Sequence, residues 1–266
     1  MLNVCSSGYY AWRKKTRSAR DKANEDLLGE IKRVHEQNKR RYGSPRIYKA
    51  LRNEGIYCGR HRVARLMRRH RIVAQRELRY KRATISKHGR SFAENLLQRR
   101  FNVAKPNHVW AGDITCFWTG SGWLHLAVVM DLYSRRIVGW AMTKRMTDDL
   151  SIEALKMAIE HRGPQKSLMH HSDQGSQYAS ERFRGLLSDS GIAFSMSRPG
   201  NCYDNAVVES FFKTLKFELT KGVRYKTREQ AKTSLFEYIE VFYNRKRLHS
   251  TLGYMSPVDY EALHLT

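Results

Sequence analysis

The 266-residue chain is long enough for one large domain or two to three modest ones, and a formal net charge of +24 excludes an electrostatically neutral surface. Four cysteines, Cys5, Cys58, Cys116 and Cys202, with no CxxC pair among them, argue against a disulfide framework or a zinc ribbon. The longest aliphatic run, Leu126 to Met130, is far short of a membrane span and the first residues lack an apolar signal core, so the expectation is a soluble, cytoplasmic protein with no membrane partner.

Residues 1–100 carry 28 Lys and Arg against 8 Asp and Glu, whereas residues 101–266 carry 21 against 17. Cations that neutralise phosphates release condensed counterions, so this lopsided charge predicts salt-dependent nucleic-acid binding led by the first third of the chain. Residues 1–26 read as a basic N-terminal segment. Over 27–75 the pattern is helical: Leu27, Leu28, Ile31 and Val34 form an apolar stripe, Ser44 is a cap candidate with Pro45 in the first turn of a short second helix, and a third helix over 59–70 is dense in arginine. Two short helices around a Gly-containing turn, the second basic, fit a helix-turn-helix that presents Arg60, Arg62, Arg65, Arg68 and Arg69 to DNA. The bland alternative is a small helical bundle with solvated arginines. Residues 76–104 are basic and weakly periodic, a linker that either tracks phosphate or only connects.

Strand patterns occupy the next region, 105–222. Segments 108–119, 123–131 and 136–142 read as an antiparallel meander, followed by a helix over 148–160, a strand leading to Asp173, a helix capped by Ser180, a strand over 192–197, and a helix with Val208, Phe211, Leu215 and Leu219 on one side. This order predicts an α/β fold, a ribonuclease-H-like mixed sheet with flanking helices, preceded by the basic helix-turn-helix region. Residues 223–266 form a C-terminal helical extension, in which 242–249 interleave aromatic and basic groups that either contact DNA or pack on the core.

Asp113 lies in a strand, Asp173 at a strand end before a glycine turn, and Glu209 within a helix, so the three carboxylates can converge. Mg²⁺ takes hard oxygen ligands, and two such ions flanking a phosphate need about three shared carboxylates. Taken singly, each acid is more often a turn, cap or surface residue. Asp131 and Asp204 are read as turn and cap groups, and His170 and His171 as packing groups or as groups that support the acids from behind. Helical spacing puts Glu209, Lys213 and Lys216 on one face, where a plain Glu209–Lys213 surface pair is the alternative to a functional cluster.

The stretches YGSPRIYKALRNEGI, RVARLMRRHRI, DITCFW, LAVVMDLYSRRIVGWAM, HSDQGSQYAS, SMSRPGNCYDNAVVESFFKTLK and YIEVFYNRKRLHSTLGYMSP span nearly the whole chain. Through them it resembles the second-reading-frame product of insertion sequences in the IS three family, transposases with a retroviral-integrase-like DDE core, and 35 residues separate Asp173 from Glu209 as in that group. The resemblance implies a metal-binding catalytic triad of Asp113, Asp173 and Glu209 serving two Mg²⁺ ions, or Mn²⁺ in their place, with Lys213 and Lys216 approaching DNA ends. It implies a DNA transposase that cleaves transposon ends and transfers strands, acts on double-stranded DNA as a homo-oligomer, and works with a first-reading-frame partner or fusion. The competing expectations are a non-catalytic DNA-binding regulatory subunit and a ribonuclease-H-like nuclease.

Overall fold

The computed structural model describes residues 5–14, 18–74, 93–163, 167–198, 202–220 and 223–264, and the chain divides into two compact units, 1–76 and 77–266. In the first unit lie α1 (Ser6–Arg13), α2 (Ala19–Gln37), α3 (Ser44–Asn53) and α4 (Arg60–Arg69). Helix α2 starts well before its apolar stripe because Ser18 and Asp21 close a capping box: the Asp21 N–H donates to Ser18 Oγ at 3.2 Å, and the Ser18 N–H donates to the Asp21 carboxylate at 3.3 Å. The cap of α3 is Gly43 rather than Ser44, which is already helical; Pro45 fits the first turn because its missing N–H has no intrahelical acceptor there. Ile31, Val34, Ile47, Leu51, Val63 and Leu66 are buried in this unit. Arg62 Nε donates to Asn24 Oδ1 at 2.8 Å and so ties α4 to α2, leaving Arg60, Arg65, Arg68 and Arg69 exposed.

The second unit is built on a sheet ordered β3-β2-β1-β4-β5, comprising β1 (Val109–Thr119), β2 (Gly122–Asp131), β3 (Ile137–Thr143), β4 (Met169–Ser172) and β5 (Ala193–Met196). The first three strands are antiparallel, and β4 and β5 join in parallel, which is the mixed sheet expected. Period-two alternation divides β2 between two cores. Leu124, Leu126, Val128 and Met130 face the side covered by α7 (Ala206–Leu215) and α8 (Arg228–Phe236), while Ala127 and Val129 face α5 (Asp148–Arg162) and α6 (Glu181–Asp189). Helix α5 packs so closely on β3 that a Cβ on Gly139 would collide with the Ala154 carbonyl. The last helix is α9 (Pro257–His264), and no helix among the described residues is long and apolar enough to cross a membrane.

Two segments differ from the sequence reading. Residues 93–98, read as basic linker, carry Leu97 into the core beside α7 and Asn95 into a buried hydrogen bond. The helix of Glu209 does not stay α-helical to Leu219: a π-helical turn, Lys216–Thr220, slips the register and buries Glu218 while Leu219 stays half-buried. Glu218 accepts from Arg247 Nη2 at 2.8 Å and from the Tyr238 hydroxyl at 2.7 Å. In the aromatic–basic run 242–249, Tyr243, Asn244 and Arg247 are therefore core groups.

Candidate active site

The site sits where β1, the end of β4 and the first turn of α7 meet. Asp113 is paired across from Val128, so its side chain shares that residue's face, toward α7. Ala111 lies beside His171 in the parallel β1–β4 register, and Asp173, one residue past the end of β4, is thereby carried alongside Asp113. Asp113 Oδ1 accepts the Ile114 N–H at 2.7 Å and Asp173 Oδ1 accepts the Gly175 N–H at 2.9 Å, which orients both carboxylates.

Electrostatics tie the three acids into one cluster. Burial pushes Asp113 well above the usual carboxylate range, the charge of Asp173 adds to the rise, the Ile114 N–H opposes it, and Glu209 contributes further upward. Glu209 is also raised, by burial first, with Lys213 opposing and Asp173 reinforcing. Asp173 still touches solvent, yet desolvation by the surrounding protein raises it against the Gly175 N–H. Like charges held in part-desolvated protein favour protonation or a bound cation. Oxygen donors of this kind suit a hard divalent ion, and among the described residues no three acidic, His or Cys side chains form a ready-made cage, so such an ion would complete its shell with water and substrate oxygens.

The surroundings hold α7 in place. Asn205 Nδ2 donates to the Gly112 carbonyl at 3.1 Å, joining the start of the Glu209 helix to the residue before Asp113. Asp204, expected as a cap, is not one: its buried carboxylate accepts from Asn95 Nδ2 at 2.8 Å, Arg99 Nε at 2.9 Å and the Arg198 N–H at 3.2 Å. Burial pushes its pKa up, but these cationic and N–H partners hold it below the ordinary value, and they outcompete the helix N-terminus for the side chain. Neither tie was read from the sequence, where Asp204-Asn205 carries only a helix-start signal. Asp131 does take the expected turn role, accepting the Asn107 and Tyr133 N–H groups at 2.8 and 2.9 Å, and burial raises it to about 6.

The two histidines of β4 differ: His170 packs among rings, and His171 is held by hydroxyls. His171 lies between the Ser195 and Ser197 hydroxyls at 2.9 and 3.2 Å, and burial lowers its pKa to about 4. His170 is enclosed by the Tyr178, Phe183 and Phe194 rings, with neither ring nitrogen hydrogen-bonded, and burial lowers it to about 3. A Cβ on Gly112 would lie 2.8 Å from His170 Nε2, so β1 needs glycine just before Asp113. Lys213 is exposed beside Glu209, whereas Lys216 turns toward β1, its Nζ 5.7 Å from the Phe117 ring centroid and its charge lowering Asp113. The five arginines read as DNA contacts belong to α4 of the other unit.

A mixed sheet with acids on β1, after β4 and on α7 defines an integrase-type core. Two models described as "Integrase core domain" match residues 103–202 and 209–265, and one described as "HTH-like domain" matches 22–81. The chain is 44% identical over 247 residues to the transposase for insertion sequence element IS904 of Lactococcus lactis subsp. lactis, spanning 92% of this chain and 97% of the relative. It is 39% identical over 267 residues to transposase InsF for insertion sequence IS3A of Escherichia coli K12, spanning 100% and 93%. Among solved structures it is similar to a chain of the simian T-cell lymphotropic virus intasome in complex with PP2A regulatory subunit B56 gamma, with 19% identity, a TM-score of 0.48, and coverage of 87% of this chain and 74% of that one. The chain belongs to the IS3 family of insertion-sequence transposases.

Proposed function

We propose that this transposase cleaves the ends of its insertion sequence and joins them to DNA by two phosphodiester displacements at Asp113, Asp173 and Glu209. The observation that carries this reading is the register of β1 against β4, which brings Asp173 alongside Asp113 while Asn205 holds the start of the Glu209 helix to the Gly112 carbonyl. In the first step a water attacks the scissile phosphate and one P–O bond replaces another, freeing a 3′-OH. In the second, that hydroxyl attacks a further phosphodiester; again one P–O bond forms as one breaks, so no ATP is consumed. The three carboxylates would hold two Mg²⁺ ions, or Mn²⁺, which supply charge stabilisation on the attacking and leaving oxygens. Asp113 and Asp173 are oriented for this by their backbone N–H contacts, and Asn205 keeps α7 against β1.

DNA is the partner. Lys213 and Lys216 flank the acids and would meet phosphates near the reacting end, while Arg60, Arg62, Arg65, Arg68 and Arg69 of α4 would dock the first unit on duplex, Arg62 mainly by bracing α4 through Asn24. Work on two ends and a target requires more than one copy, and a first-reading-frame partner or fusion would supply end recognition. The test is cleavage and joining of labelled DNA bearing the repeats that flank the coding region, with Mg²⁺, for this chain and its first-frame fusion. Glu209→Gln should abolish joined product while DNA binding persists; retained joining by Glu209→Gln would overturn the triad.

A further inference from the structure

The tip of the β1–β2 hairpin exposes two indoles. Trp118 and Trp123 are directly opposed in the register, pack edge to face with centroids 5.0 Å apart, and remain 64% and 49% exposed. Such a pair gains little from burial where it stands and leaves aromatic surface open to a ligand.

Cations lie on the segments beside it. Arg228 Nε donates to the Trp123 carbonyl at 2.9 Å, the exposed Lys226 lies on the same strap, and Ser121 Oγ donates to the Lys226 carbonyl at 3.5 Å. On the other side the exposed Lys144 and Arg145 follow Thr143, which pairs with His125, two residues from Trp123. The hairpin residues 114–130 contain no Asp or Glu. Arg145 also leads back to the active site, because Gln177 Nε2, in the loop after Asp173, donates to the carbonyl of Met146 at 3.4 Å. Along β1 the backbone of Trp118 is about 17 Å from that of Asp113, at roughly 3.4 Å per residue, and at five positions apart in an unbulged strand the two side chains leave opposite faces of the sheet.

We propose that this hairpin tip is a stacking platform for unpaired DNA bases about 17 Å along β1 from the acids, with Trp118 and Trp123 as base-stacking faces and Lys144, Arg145, Lys226 and Arg228 as phosphate contacts. Aromatic faces ringed by cations are what single-stranded nucleic acid requires, since every base has a π-face and every linkage a negative charge. A second copy meeting this patch with the same patch would set cations against cations, whereas a polyanion is complementary. A fully paired duplex hides its base faces and engages only the cations. The inference rests on the transposase reading and adds to it the state of the DNA: strands opened within reach of the hairpin tip.

The test measures equilibrium binding of a short labelled single strand and of the matching blunt duplex by the full chain, in a Glu209→Gln background without divalent metal. It is thus independent of catalysis, and a failure of strand joining leaves it intact. Trp118→Ala with Trp123→Ala should weaken single-strand binding on the order of tenfold or more and leave duplex binding unchanged, while the paired Trp→Phe variant retains most of the single-strand affinity. Equal loss on both DNAs, or no loss on the single strand, overturns the proposal. A fall in self-association by sedimentation with single-strand affinity intact also overturns it and assigns the surface to a second copy.

Discussion

Asp173 carries the charge that couples the candidate site, because it raises Asp113 and Glu209 while a backbone N–H restrains its own rise. Replacing it by Asn should lower both remaining carboxyl pKa values, a shift that carboxyl-carbon NMR titration would read directly. Since all three acids are raised in the folded state, their contribution to stability is full below the ordinary carboxylate range and is lost as pH rises through their raised values. Mg²⁺ should therefore raise the thermal midpoint more at neutral pH than at acid pH, and Glu209→Gln should reduce that gain. His170 has the opposite sign. Held neutral with a pKa of about 3 against an ordinary value of 6.5, it leaves the fold intact above 6.5 and costs stability as pH falls toward 3. His170→Leu, close in volume and free of unpaired nitrogens, should flatten that acid limb in chemical denaturation; an unchanged limb would rule out His170 as its source.

At the scale of elements, the π-helical turn after α7 and its continuation into the C-terminal region decide which residues of the extension face inward. Glu218 and Arg247 are both buried and bonded to each other, so removing one strands the other's charge. Glu218→Ala should cost about 3–5 kcal/mol in denaturant unfolding, and an apolar replacement of both partners should recover most of it. A 3.6-residue period carried through Lys216 puts Leu219 inward, because sequence periodicity contains no signal for a single wide turn. The same limit applies to Asp204. As a helix-start residue it was legible, but its capture by Asn95 and Arg99, more than 100 positions away, depends on the fold. The strands were legible with nearly correct bounds because β2 alternates between two apolar faces. The close approach at Gly139 was not; Gly139→Ala should destabilise by at least about 1–3 kcal/mol, as overpacking against α5.

For the whole molecule, the governing quantity is charge and its distribution. DNA affinity should fall steeply with salt, and if the exposed arginines of α4 meet phosphates as proposed, Arg65→Gln and Arg68→Gln should each reduce the slope of log affinity against log salt by about 1. Arg62→Gln should instead lower the stability of the first unit, since its guanidinium is bonded to Asn24. The sequence by itself determined the order of helices and strands, the helix-turn-helix pattern ahead of the sheet, and the identity and spacing of the acids, because these depend on local periodicity, turn chemistry and motif. Tertiary structure alone decided which face of β1 carries Asp113, how Asn205 joins α7 to that strand, why His170 stays neutral, and that Trp118 and Trp123 stand uncovered among cations. Each of those depends on strand register and on what packs above it, which residues distant along the chain supply only once the sheet has formed.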